Sequence, residues 1–294
     1  MTSAPFERFI GIDWSGAEKC SGAIQVAELV RGARQPKLRS PMEGKHWNRE
    51  RVARYLKTLT DKRTLVGIDF AFSLPTPYPI AKIQRIRELW TFVDEFCITA
   101  SGEIGDYYAA AVWLSETSPF QPYFRYGDYR GDLFDGKRLR RTEQVSKPRG
   151  CSVYKLMYSQ VGRGSFAGMR VLRFLSQRPG GEIAIWPFDR IDDARIVIVE
   201  VYPSAFYPFA NCRRPNSKHN DEQIAGIVDT VLSHFGTMCG DSRPKSQDEI
   251  DAYVTSAALA YLSMTTSSFA VPPRLRERVA KEGWIFGVPF GDAP

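Results

Sequence analysis

The sequence predicts an α/β fold: a mixed β-sheet with helices on both faces and a large helical or irregular insertion. Three observations carry this. The first third of the chain reads as strand, strand, strand, helix, strand. Two of those strands, around Ile10 and Val66, are apolar on both faces, as strands covered on both sides are. Beyond the middle of the chain, β-branched runs alternate with segments of helical periodicity.

Phe9–Trp14 is an apolar run closed by Ser15-Gly16 and reads as a buried strand. Ala23–Val30 is a second strand and Lys37–Arg39 a short third, joined by short loops in an antiparallel meander. Asn48–Leu59 is a helix with Val52, Tyr55, Leu56 and Leu59 on one face. Thr64–Phe70 follows, and the intervening helix makes it parallel to an earlier strand. Pro75 to about Gly150 is irregular apart from a helix over Ile80–Phe96, and reads as an elaboration on a single domain rather than a second one. Tyr154–Leu175 reads as helix, interrupted by Gly162, Gly164 and Gly168. Ile183–Trp186 and Arg195–Tyr202 are strands, Asp221–Phe235 and Ser246–Met264 helices, and Trp284–Val288 a closing strand.

The chain has 294 residues and a formal charge of +7, a basic excess that permits an anionic partner without requiring one. Its five cysteines are scattered, with no CxxC pair, which argues against a zinc ribbon or a disulfide framework. His46, His219 and His234 have no metal spacing. No apolar run approaches the roughly 20 residues of a membrane span, and the N-terminus lacks a signal-peptide pattern. A cytoplasmic protein is expected.

Chemistry concentrates in the acids. Ile10-Gly11-Ile12-Asp13-Trp14 and Val66-Gly67-Ile68-Asp69-Phe70 are nearly the same segment, each ending in an aspartate followed by an aromatic. Either aspartate alone has a structural explanation as a turn cap. Two carboxylates side by side against apolar surface repel and are poorly solvated, and a divalent cation removes both penalties. Mg²⁺ and Mn²⁺ prefer such oxygen ligands. Glu200 interrupts the β-branched run Ile196–Val201; it reads as a site acid or as a charge guarding an edge strand. Ser246-Gln247-Asp248-Glu249 is a capping box, and the helix dipole accounts for Asp248. Asp251, on the same face one turn later, falls inside the apolar arc of an almost wholly apolar helix and needs a partner.

Together these residues resemble the RNase H and RuvC-type resolvase arrangement. More closely, Gly11–Gly16, Gly67–Pro75, Val199–Ser204 and Asp248–Ala252 are similar to an uncharacterised family of predicted RNase H-like nucleases, the resemblance running from about Ile10 to Pro289. It implies an RNase H-like fold, a metal-dependent nuclease activity, Asp13, Asp69 and Asp251 as metal ligands, and Glu200 or Asp248 as a further acid. It also implies two ions roughly 4 Å apart bridged by Asp13. The RNase H acid of the first helix has no firm counterpart; Glu50 is the candidate.

Lys137, Arg138, Arg140, Arg141, Lys147 and Arg149 follow a Tyr- and Arg-rich stretch. Basic side chains neutralise phosphates and exposed aromatics stack on bases, so Lys137, Arg138, Arg140 and Arg141, with Ser15, are candidate nucleic-acid contacts. An ordinary solvated loop with its aromatics in the core is the competing account. Two other functions fit parts of the pattern. Gly-Ile-Asp-Trp-Ser-Gly also resembles the phosphate loop of actin and sugar-kinase phosphotransferases, but no second glycine-rich loop follows. A non-catalytic nucleic-acid-binding module on the same fold would keep the acids too far apart for an ion.

Overall fold

The run before Trp14 forms β1 (Arg8–Asp13), buried throughout except at half-buried Asp13. The structure, a computed structural model, describes residues 5–18, 22–78, 83, 85–101, 107, 113, 116, 118–156, 161–177, 182–240, 243–264 and 266–291. β1 pairs antiparallel with β2 (Gln25–Val30), which pairs antiparallel with the two-residue β3 (Lys37–Leu38). Helix α1 (Arg49–Thr58) starts where the Asn48 side chain accepts the Arg51 N–H at 2.8 Å. The chain then returns as β4 (Thr64–Ile68), parallel to β1 as a strand–helix–strand crossover requires.

There follow α2 (Ile86–Ser101), the hairpin strands β5 (Arg125–Tyr126) and β6 (Tyr129–Arg130), α3 (Arg141–Val145) and α4 (Val161–Ser176). Strands β7 (Ile183–Ile185) and β8 (Ile196–Glu200) complete a six-stranded mixed sheet in the order β3-β2-β1-β4-β8-β7. β8 runs parallel to both β4 and β7. Helices α5 (Asp221–His234), α6 (Gln247–Leu262) and α7 (Arg276–Glu282) close the order. Among the described residues, no helix is long and apolar enough to cross a membrane.

The pleat sends alternate residues to opposite faces, and each face has its own core. Ile10, Ile12, Ile68 and Ile198 pack with Leu56 of α1, Trp90 of α2 and Phe166 of α4. Phe9, Leu65, Val197 and Val199 pack with Leu232 of α5 and Leu259 of α6. Gly11 and Gly67 are register partners on β1 and β4. A Cβ on Gly11 would lie 2.2 Å from the Ala252 carbonyl oxygen, and one on Gly67 would lie 2.7 Å from Val201 Cγ1 and 3.1 Å from Thr255 Cγ2. The paired glycines are therefore the groove in which α6 lies against the sheet.

Three local expectations change. The Tyr- and Arg-rich stretch contains a hairpin, because Gly127, at φ +50°, makes the tight turn. Tyr154 is in a turn and Lys155 makes an isolated bridge to Arg125 rather than a helix, the Tyr154 carbonyl accepting the Arg125 N–H at 3.1 Å; the described helix begins at Val161, and 157–160 lie outside the described residues. Trp284–Val288 is a turn joined to β8 by one bridge, Glu200 to Ile285, not a strand. The predicted helix start at Ile80 also lies outside the described residues.

Candidate active site

Asp13 closes β1 and Asp69 directly follows β4. The Asp69 N–H donates to the Ile12 carbonyl at 3.1 Å, so the two aspartates are adjacent at the carboxyl edge of the sheet. Each is two residues beyond its glycine, and each side chain is on the α6 face. The first turn of α6 brings Asp248 and Asp251 to the same place. Ser246 caps that helix by accepting the Glu249 N–H at 3.1 Å, which fixes where the turn begins. A cleft of about 510 Å³ opens over these four acids, with Trp14, Ser15 and Tyr202 in its wall.

The electrostatics follow from this crowding. Burial, then Asp69, Asp251 and Asp248, push the Asp13 carboxyl well above its ordinary range. Burial and Asp251 raise Asp69 to about 8, with Arg214 pulling it down. Neither carboxylate accepts a hydrogen bond among the described residues. Burial also raises Asp251, 1% exposed, against the opposing pull of Arg214. Asp248 is raised by burial and by Asp251.

Among the described residues, Asp251 is the one acid of the four with an arginine bonded to it. Arg214 Nε donates to its two oxygens at 3.2 and 3.1 Å, and Arg214 Nη2 donates to Oδ2. Gln247 Nε2 donates to Oδ1 at 3.0 Å, and the Tyr207 hydroxyl lies 3.5 Å away. These three partners were not anticipated. The signal available was that a buried Asp251 requires a cation.

Glu200 lines the same cleft and adds to the upward push on Asp69, but it is held differently from the four aspartates. Its register partner on β4 is Ile68, so it projects from the face opposite Asp13 and Asp69. There Arg140 Nη1 donates to Glu200 Oε2 at 2.7 Å, Arg140 Nη2 donates to Oε1, and the Phe72 N–H donates to Oε2 at 3.0 Å. Arg140 also donates to Glu143 at 2.9 Å and to the Glu282 carbonyl at 3.1 Å. Burial opposes the charge of Arg140, but Glu143 and Glu200 outweigh it and raise its pKa. Arg140 was expected among the nucleic-acid contacts; at 1% exposure with its donors engaged it is a structural cation instead.

Of the other basic candidates, Lys137 is exposed, Arg138 and Arg141 are half-buried, and the Arg141 N–H donates to Glu282 Oε2 at 2.8 Å. The aromatics divide. Phe124 is core, whereas Tyr126 and Tyr129 face each other across the hairpin, ring centroids 4.8 Å apart. Ser15 lies in the cleft wall; its hydroxyl accepts the Ala17 N–H at 3.2 Å, and fully buried Arg49 holds the loop by donating to the Ser15 carbonyl at 3.1 Å. Glu50 pairs with Arg54 on the outer surface of α1 and takes no part in the cleft.

Asp13, Asp69, Asp248 and Asp251 bring carboxylate oxygens to the cleft, the donor chemistry a hard divalent ion selects. Among the described residues, no group of three His, Cys, Asp or Glu side chains is arranged to hold one ion, with Asp251 bonded to Arg214. No protein-family model, no curated protein and no solved structure matches the chain.

Proposed function

We propose that this protein is an RNase H-like nuclease that hydrolyses phosphodiesters of DNA, RNA or a hybrid with Mg²⁺ or Mn²⁺. One observation carries the reading: Asp13 and Asp69 are adjacent and mostly buried beneath the acidic first turn of α6, their carboxylates accepting no hydrogen bond among the described residues. The strand order β3-β2-β1-β4-β8, antiparallel then parallel, supports the RNase H-like assignment.

Asp13 and Asp69 would hold the ion, with Asp248 and Asp251 completing the donor set. The bound ion supplies positive charge to an attacking water and to the leaving oxygen. Asp13 and Asp69 fix the position of that charge relative to β1 and β4. Ser15, held by Arg49, is placed to donate to a substrate phosphate at the cleft wall. Lys137, Arg138 and the Tyr126–Tyr129 pair offer charge and stacking surface to a strand passing over the insertion. Glu200, bonded to Arg140, braces the Asp69–Phe72 turn through the Phe72 N–H.

Calorimetric titration of Mg²⁺ and Mn²⁺ into wild type and Asp13→Asn, beside cleavage of DNA, RNA and hybrid panels, tests this. Metal-dependent cleavage lost in Asp13→Asn is the expected result; metal binding unchanged in Asp13→Asn sinks it. A non-catalytic module is favoured by the lack of a three-ligand group among the described residues, and it predicts nucleic-acid binding with no metal dependence.

A further inference from the structure

Two arginines, one buried and one partly exposed, compensate acids around the cleft, and they differ in freedom. Arg140 is 1% exposed and bonded to Glu143, Glu200 and the Glu282 carbonyl. The Arg214 side chain is 40% exposed, and among the described residues its hydrogen bonds go to Asp251 alone. It belongs to a loop that leaves a short helical turn at Asn211, in the left-handed region at φ 54°. Arg214 also stands in the wall of a second cleft of about 610 Å³, where His219, Arg243 and Lys245 are its basic neighbours. The guanidinium therefore has open space into which to turn.

We infer that Arg214 is the internal counter-cation of the site, held on Asp251 until a divalent ion replaces it. This rests on the metal-site reading above and assigns a regulating residue to it. Asp13, Asp69, Asp248 and Asp251 bring four carboxylates to one cleft, and Arg214 is the cation that acts on all four. While both Asp251 oxygens are bonded to it, Asp251 is withdrawn from any shared ion. Release of Arg214 frees Asp251 as a ligand and presents a guanidinium fork at the junction of the two clefts, suited to a phosphate.

The test is calorimetric titration of MnCl₂ into the full chain at alkaline pH, using wild type, Arg214→Ala, Arg214→Lys and Asp13→Asn. Each is first checked for folding by thermal melting. Removing the competitor makes Arg214→Ala bind Mn²⁺ at least about ten-fold tighter than wild type, the order expected when a buried carboxylate loses its paired cation. Lysine, a point charge without the fork, falls between the two, and it carries the test if the alanine variant does not fold. Affinity unchanged or weakened in both Arg214 variants, with binding lost in Asp13→Asn, overturns this inference alone and makes Arg214 a brace for Asp251. No Mn²⁺ binding by any variant, or full binding by Asp13→Asn, overturns the metal site and this inference with it.

Discussion

Asp69→Asn should make the metal-free protein more stable while removing its ability to hold an ion. Burial and Asp251 raise the Asp69 carboxyl from 3.8 to about 8. At roughly 1.4 kcal/mol per unit, ionising it inside the fold costs on the order of 5 kcal/mol, and somewhat less at neutral pH. Asparagine removes that charge but leaves an amide to be desolvated, a cost of about 1–3 kcal/mol. The net gain is about 2 kcal/mol, or roughly 4–8 °C in melting temperature for a chain of this length. The pH dependence has a definite sign. The unfolded chain releases this proton near 3.8 and the folded chain keeps it to about 8, so the folded state binds more protons between them. Wild-type stability therefore falls as pH rises through that window, and the penalty is complete above it. Scanning calorimetry of both proteins across the window, with chelator present, should show a flatter profile for Asp69→Asn. A variant that melts below wild type at neutral pH, or that keeps the full wild-type slope, refutes the argument.

Glu200→Gln leaves Arg140 with Glu143 as its remaining carboxylate partner and should cost about 3 kcal/mol in urea unfolding. Because both Glu200 oxygens are bonded to Arg140 and not open to an ion, Mn²⁺ affinity should stay within a few-fold of wild type. Gly11→Ala drives a methyl to 2.2 Å from the Ala252 carbonyl oxygen; it should destabilise by about 3 kcal/mol or more and weaken Mn²⁺ binding by lifting α6 from β1. Lys137→Ala with Arg138→Ala should lower affinity for a single-stranded oligonucleotide and reduce the slope of log affinity against log salt by about 1.4. An unchanged slope removes the insertion from the binding surface.

The sheet's central strands and its flanking helices were legible because their signals are local. Two-sided apolar runs mark β1, β4 and β8, an apolar face marks α1 and a capping box marks α6. The convergence of Asp13, Asp69, Asp248 and Asp251 was legible for the same reason: strand ends and a helix start are boundaries a sequence displays. Glu200 was harder. Its role depended on parity, and only the register with Ile68 shows that it leaves the sheet on the face where Arg140 meets it. Arg140 looked like one more basic residue in a basic run, because nothing in that run says that its partner is sixty residues away on β8. Arg214 was missed because the ion pair with Asp251 is formed by tertiary placement. The hairpin at 125–130 hid in a stretch whose aromatics suit either core or surface.

The treatment of the acids on the two sheet faces is itself informative. On one face the fold neutralises Glu200 with a fully buried arginine and closes the network with Glu143 and Glu282. On the other, the Asp13 and Asp69 carboxylates accept no hydrogen bond among the described residues, although asparagine at either place would lower the cost. Uncompensated cost of this kind concentrates where a ligand relieves it. If the ligand is a cation, ion binding and Asp69→Asn relieve the same term and cannot add. An ion bound only by the folded state stabilises by about 2.7 kcal/mol at a hundred times its dissociation constant, close to the gain expected from the substitution. Saturating Mn²⁺ should therefore raise the melting temperature of wild type about to that of metal-free Asp69→Asn, and should leave Asp69→Asn itself almost unmoved. Equal Mn²⁺ shifts in the two proteins would place the ion elsewhere and leave the acid pair unexplained.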